Sequence, residues 1–308
     1  MRPTSLQTGA SASAIQHHYD VGNDFYRLWL DPTMNYSCAL WENGDTLESA
    51  QKRKMEYHAR EARTTGVDRV LDVGCGWGGM MLHLIECHEV KHVVGLTLSN
   101  AQAEFVAAMS SNQLTVRNEG WEQHKPVKPY DAIISIGAME HFARLNMSAA
   151  DRIQNYKSFF ERCREVLKPG GWMSLQTFAH GSTRNWNTAR HSAATQFLST
   201  EIFPETDPPR LVEVVEAIDS VFELVRLRND RKHYGLTCRS WLNNLRANKE
   251  SATKLVGDEV IARYQRYLQL SIVGFETGKL DLYRITLRPI QPRQRRINVI
   301  PLEMQPLA

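Results

Sequence analysis

Apolar residues along this chain follow two rhythms. Short runs near 69–74, 91–98, 114–120, 131–137 and 172–178 read as strands, and the stretches between them repeat apolar positions at helical spacing. Thr46 can cap a helix running to about residue 65, with Gly66 ending it. Ser99 caps a helix holding Ala103, Phe105, Val106 and Met109. Ser148, with Asp151 three residues on, makes a capping box before one apolar face of Ile153, Tyr156, Phe159, Phe160, Cys163 and Val166. Lys168-Pro169-Gly170-Gly171 closes that helix. Strands that alternate with helices predict an α/β fold, a mostly parallel sheet with both faces covered. Further on, 222–230 and 282–287 predict a sixth and a seventh strand, and 237–250 and 257–277 two helices between them.

Three stretches break the rhythm. Residues 1–12 are small and polar and are expected to be disordered. Residues 180–220 carry Pro204, Pro208 and Pro209 with no clean strand, which suggests an inserted lid; Arg184, Arg190, His191 and Glu201 make it mixed rather than greasy. The last residues hold Pro292, Arg293, Arg295 and Arg296, a basic tail read as solvated.

Composition narrows the classes. With 308 residues, 42% of them hydrophobic, the chain can bury a full core. A net charge of +3 gives no sign of nucleic acid. The five cysteines are scattered without metal-like spacing, so neither a disulfide frame nor a metal site is expected. No apolar run reaches membrane-spanning length and no signal-peptide pattern appears. A cytoplasmic protein is expected, one that at most visits a membrane surface.

The chemistry begins at Val70-Leu71-Asp72-Val73-Gly74-Cys75-Gly76-Trp77-Gly78-Gly79, a strand breaking into a glycine turn before the helical Met80–Ile85 stretch. Glycine lets such a turn form and lets a ligand touch backbone. Gly74, Gly76 and Gly79 fit G-x-G-x-x-G. A nicotinamide dinucleotide would want an acid at the end of the second strand; that strand ends in Thr97 and Ser99. Another adenosine-bearing ligand therefore leads, over a dinucleotide and over a turn that only packs.

Several separate stretches then resemble the family of cyclopropane-fatty-acid and mycolic acid cyclopropane synthases. They are His18-Tyr19-Asp20 with Asn23-Asp24-Phe25-Tyr26, Asp31-Pro32-Thr33 with Tyr36-Ser37-Cys38-Ala39, the glycine loop, Gly95-Leu96-Thr97-Leu98-Ser99 with Gln102, Gly120-Trp121-Glu122, Ser135 to Phe142, Ile202-Phe203-Pro204, and His233-Tyr234. The resemblance covers about residues 15–288. It implies an S-adenosylmethionine-dependent methyltransferase on a seven-stranded, mostly parallel Rossmann-like sheet with a helical lid insertion. Its parts would be a disordered 1–14, a helical cap at 15–65 over the cofactor, a methyltransferase domain at 66–290 and a disordered tail at 291–308.

The resemblance also implies roles. Gly74 and Gly76 would hold the amino-acid end of S-adenosyl-L-methionine, with Tyr36 and Ser37 covering it. Thr97, Leu98 and Gln102 would take the ribose, Trp121 and Glu122 the adenine, and Ile136 would lie beside the cofactor. Methylating an alkene leaves a carbocation, and closing a ring requires a base. The family's base is a bicarbonate held by a cysteine, a glutamate, a tyrosine and a histidine. Cys38, Glu140 and Tyr234 match three of these, and Gln176 replaces the histidine, which puts ring closure in doubt more than methyl transfer. His141 is a candidate base or a supporting residue, and His180 is read as a lid histidine. Plain structural readings compete: a core aromatic at Trp121, a helix-capping carboxylate at Glu140, a buried thiol at Cys38, a core tyrosine at Tyr234.

The expected partner is an unsaturated acyl lipid, with peripheral membrane contact. The runner-up is N- or C-methylation of a small natural-product intermediate, as in the plant benzylisoquinoline N-methyltransferases that look like offshoots of this family. A non-catalytic module on the same fold is the third reading. The sequence leaves the oligomeric state open.

Overall fold

The computed structural model describes residues 9–183 and 192–290. The tail from 291, and Arg184, Arg190 and His191 of the expected lid, lie outside the described residues. Seven strands form one sheet in the order β3-β2-β1-β4-β5-β7-β6. They are β1 (Arg69–Val73), β2 (His92–Thr97), β3 (Leu114–Asn118), β4 (Tyr130–Ile136), β5 (Leu167–His180), β6 (Phe222–Asn229) and β7 (Leu280–Pro289). Only β7 runs against the others, pairing antiparallel with both β5 and β6. Strand order reverses at β1, which lies between β2 and β4. In such sheets the crevice beyond the carboxyl ends of the two flanking strands is where ligands bind.

Alternation along β1 sends side chains to both faces. Leu71 and Val73 join Tyr156, Phe159 and Phe160 of α6 (Ala149–Val166) and Val214 and Ile218 of α8 (Leu211–Ile218). Val70 joins Met55 and Ala59 of α3 (Leu47–Glu61) and Met81 and Leu84 of α4 (Gly79–His88) on the other face. A third, aromatic cluster draws on the N-terminal segment (Phe25, Tyr26, Trp29) and on the C-terminal helices α9 (Arg231–Ala247) and α10 (Lys249–Glu276), through Trp241, Tyr264 and Phe275. Helix α10 is broken at Gly257, where the second expected helix was to begin; the helix over 251–256 ahead of the break was not expected.

Three boundaries differ from expectation. Helix α1 (Ala12–Tyr19) already starts inside the stretch expected to be disordered. The Ser11 hydroxyl caps it, accepting from the Ala14 amide at 3.2 Å, and the Ser11 amide donates to Glu205 at 2.9 Å. Helix α6 ends at Val166, ahead of the Lys168–Gly171 stop, because a residue before proline avoids the helical region. The residues thereby freed make a bulge in β5, between the Tyr130–Leu167 and Ala132–Trp172 pairs. Helix α9 begins at Arg231, which places Tyr234 in its first turn rather than before it. The segment after β5 divides: α7 (Ala193–Phe197) and a π turn (Leu198–Ile202) lie near the aromatic cluster, whereas α8 belongs to the core layer.

Helix α3 starts as its cap predicts. The Thr46 hydroxyl accepts from the Ser49 amide at 3.2 Å, and the Ser49 hydroxyl accepts from the Thr46 amide at 3.1 Å. Thr46→Ala is expected to cost about 1 kcal/mol, read as a lower urea midpoint at unchanged slope.

Candidate active site

The first cavity opens where β1 ends. The Gly74 amide donates to the Leu96 carbonyl at 2.9 Å, tying the loop to β2. At φ +83°, with the space a Cβ would fill only 2.7 Å from the Ala138 Cβ, Gly74 tolerates no side chain. Gly79, at the start of α4, is equally tight: a Cβ there would meet the Thr33 carbonyl at 2.5 Å. Segment 31–37 thus lies directly on the loop.

Helix α3 holds that segment down. Gln51 Nε2 donates to the Asn35 and Ser37 carbonyls at 3.2 and 2.9 Å. Lys54 Nζ donates to Asn35 Oδ1 at 2.8 Å and to Ser37 Oγ at 3.0 Å. Asp31 shapes the turn, accepting from the Thr33 and Asn35 amides at 3.0 and 2.9 Å.

The cavity encloses roughly 970 Å³, counting its mouth. Gly74, Gly76, Tyr36 and Ser37 line one end. Thr97, Leu98 and Gln102 line the β2 side, where the Thr97 hydroxyl donates to Gln102 Oε1 at 2.8 Å. Trp121 and Ile136 line it as well. Trp121 is half-buried, packed on Phe142 and Phe159 at centroid distances of 5.6 and 5.4 Å.

Glu122 corrects the sequence expectation. It is exposed and does not line this cavity. The chain turns after β3, bringing Glu119 and Gly120 inward and folding the Glu122 carboxylate back over Gly120 on the outside.

Two buried charged residues without an expected role stand in the cavity wall, Asp72 and Lys54. Asp72 is 2% exposed and its Oδ2 has no hydrogen-bond partner. Burial pushes its pKa up to about 7, with Lys54 pulling the other way. Burial lowers Lys54 to about 8, with Asp31 opposing. The sequence signal was one acid among the apolar residues Val70, Leu71 and Val73 of β1.

A second cavity adjoins the first, and Tyr19, Tyr36, Gly137 and His141 line both. Glu140 and Tyr234 line it with His141. Glu140, in a short 3-10 turn (Met139–His141), is 1% exposed. Its Oε1 accepts from the Phe178 amide at 2.8 Å, while Oε2 has no partner. Burial raises its pKa to about 7 against the pull of backbone hydrogen bonds. His141 Nδ1 pairs with the Thr206 hydroxyl at 2.9 Å, and its surroundings lower its pKa to about 4. Tyr234 stacks on Phe275 at 4.4 Å.

Cys38 and Gln176 do not line this cavity. Both are buried, in a separate polar cluster. Gln176 Nε2 donates to the Cys38 carbonyl at 3.4 Å, and its Oε1 pairs with His58 Nε2 at 3.3 Å. Arg284 Nη2 donates to the Cys38 and Ala39 carbonyls at 3.2 and 3.1 Å. His58, which sequence reasoning passed over, comes from α3; burial and then Arg284 hold its pKa well below the usual histidine range. His180 ends β5, lines the second cavity and pairs with Asp207 at 2.8 Å. Asp207 in turn is bonded to Arg152. Glu201 is exposed on the π turn.

Residues 7–285 match the family described as mycolic acid cyclopropane synthetase. Cyclopropane mycolic acid synthase 2 of Mycobacterium leprae is 37% identical, over 88% of this chain and 89% of its own. Cyclopropane mycolic acid synthase MmaA2 of Mycobacterium tuberculosis is 37% identical, over 89% of this chain and 96% of its own. The crystal structure of mycolic acid cyclopropane synthase CmaA1 complexed with SAH and CTAB superposes with a TM-score of 0.82 at 34% identity, covering 91% of this chain and 98% of that one. Coclaurine N-methyltransferase bound to N-methylheliamine and SAH shares the fold at 18% identity, with a TM-score of 0.76 over 92% of this chain and 84% of its own.

Proposed function

The chain belongs to the mycolic acid cyclopropane synthetase family and is an S-adenosylmethionine-dependent methyltransferase, and on that premise we propose that its acceptor is an unsaturated carbon of an acyl lipid. One observation carries the reading: a glycine-loop cavity shares a wall with a second, largely aromatic cavity lined by the buried Glu140, one of whose carboxylate oxygens is unpaired.

The first cavity fits the donor. A zwitterionic amino-acid end needs an anion and polar donors, and Asp72 Oδ2 is a buried acceptor waiting for a cation. Gly74 and Gly76 leave the backbone bare beside it, and Tyr36 and Ser37 cover it. Thr97, Leu98 and Gln102 suit a ribose, and Trp121 an adenine face. The donor supplies a methyl group made electrophilic by a sulfonium.

The chain's own residues manage the acceptor. The second cavity keeps water away from it, and the rings of Tyr234, Phe178 and Phe275 offer electron-rich faces to positive charge on its carbon. Glu140 Oε2 then takes the proton whose loss ends the reaction, as a ring or as a methyl-bearing alkene. Bicarbonate fits less well. In that cavity it would find Tyr234 and Glu140, but the Gln176 amide is engaged with His58 and the Cys38 carbonyl. The proton is therefore assigned to Glu140 itself.

A second reading rests on the His180–Asp207 pair in the wall of the second cavity. Polar walls suit an acceptor with a hydrogen-bonding group, such as a small amine. Incubation with labelled donor and either unsaturated phospholipid or small amines separates the two. Label is expected in the lipid, with proton NMR distinguishing a ring methylene from a vinylic methyl. Transfer to amines alone would replace the lipid reading.

A further inference from the structure

We propose that Glu56, His83 and His88 form a zinc site that clips α3 to α4. The expectation of no metal site rested on the cysteines, and these ligands are two histidines and a carboxylate brought together by helix packing.

The geometry is close to that of a ligand set. His88 Nε2 lies 2.9 Å and His83 Nε2 3.6 Å from the same oxygen, Glu56 Oε2, and the three atoms all lie within 4.8 Å of one another. Tetrahedral zinc with bonds of about 2.1 Å sets neighbouring ligand atoms about 3.4 Å apart. Small side-chain rotations close the set around one ion.

Three further observations point to a ligand. His83 is 6% exposed, yet its Nε2 has no hydrogen-bond partner, a cost that a metal bond removes. His88, 5% exposed, pairs through Nδ1 with the Thr65 hydroxyl at 3.1 Å. That second contact orients the ring, and if Nδ1 carries the proton it leaves the Nε2 lone pair for a metal. The Glu56 side chain is 44% exposed, which leaves an approach from solvent and room for a water as fourth ligand. Imidazole nitrogen with one carboxylate suits zinc among the abundant divalent ions and does not suit magnesium or calcium.

The competing arrangement is a plain hydrogen bond from His88 to Glu56, with His83 Nε2 only in looser contact with the same carboxylate at 3.6 Å. Zinc uptake separates them. The full-length, tag-free chain is stripped with a chelator, dialysed and titrated with zinc against a chromophoric competitor. One equivalent is expected to bind tightly, with a rise in melting temperature that grows with free zinc. His83→Gln and His88→Gln should each weaken that equivalent at least tenfold, while Cys87→Ser, altering the exposed neighbouring thiol, should not. Glu56→Gln lies on the helix surface, keeps the fold and should weaken binding at least tenfold as well. No zinc taken up by the wild-type chain, or equal uptake by Glu56→Gln, overturns the site.

Discussion

Glu140→Gln is expected to lower kcat about a thousandfold while donor affinity stays within a few-fold. The substitution keeps shape, and the amide oxygen can still accept from the Phe178 amide, as Glu140 Oε1 does at 2.8 Å. What disappears is the basicity of Oε2, which has no partner in the folded chain. Glu140 lines the acceptor cavity and not the donor cavity, so calorimetry with S-adenosylhomocysteine should see little change. The pH dependence gives an independent reading. Burial raises the Glu140 pKa to about 7. Below that value the carboxyl is protonated and takes no further proton; above it the carboxylate is free to act. Wild-type kcat should therefore climb through about pH 7 and level off above. The residual rate of the variant should lack that limb. A variant within tenfold of wild type across this range would take Glu140 out of the reaction.

Much of the frame was legible because it rests on local rules. Thr46, Ser99 and Ser148 cap their helices as their positions suggest. The glycine loop announces the β1 crevice because only glycine fits between β1 and Ala138. The reversal of β7 was not legible, since alternation along a strand is the same in either direction. The site divides in the same way. Gly74, Thr97 and Ile136 sit at strand ends, where the fold sends ligands, and they line the cavity as expected. Glu122 misses because a turn of three residues decides which carboxylate faces inward. Cys38 and Gln176 form a layer with His58 and Arg284: His58 pairs with Gln176 across 118 positions and Arg284 with Cys38 across 246, pairings no local pattern encodes. Lys54 reads from sequence as one more polar position on an amphipathic helix, and only packing shows it buried over Ser37.

Asp72→Asn is expected to weaken donor binding about 10- to 100-fold, the usual worth of a hydrogen bond to a charged group. Its unpaired Oδ2 is the acceptor proposed for the donor's ammonium. That end of the donor does not change as the methyl moves, so kcat at saturation should hold while KM rises. Proton linkage sharpens the test. Burial holds the Asp72 pKa near 7, so in the empty protein the group is largely protonated in mild acid. An arriving ammonium favours the carboxylate, and binding then releases a proton. Wild-type affinity should improve as pH rises to about 7 and flatten beyond it, and the asparagine variant should show no such trend. Stability should move the other way. A carboxyl whose folded pKa is raised favours the fold at low pH and loses that contribution as pH rises through about 7. Above that pH the wild-type chain carries a buried charge that asparagine lacks, so the ligand-free variant should melt higher than wild type at pH 8. Weaker binding in a more stable protein separates a lost contact from a damaged fold. Unchanged donor affinity in Asp72→Asn would leave the amino-acid end of the donor to the glycine loop and Lys54 alone.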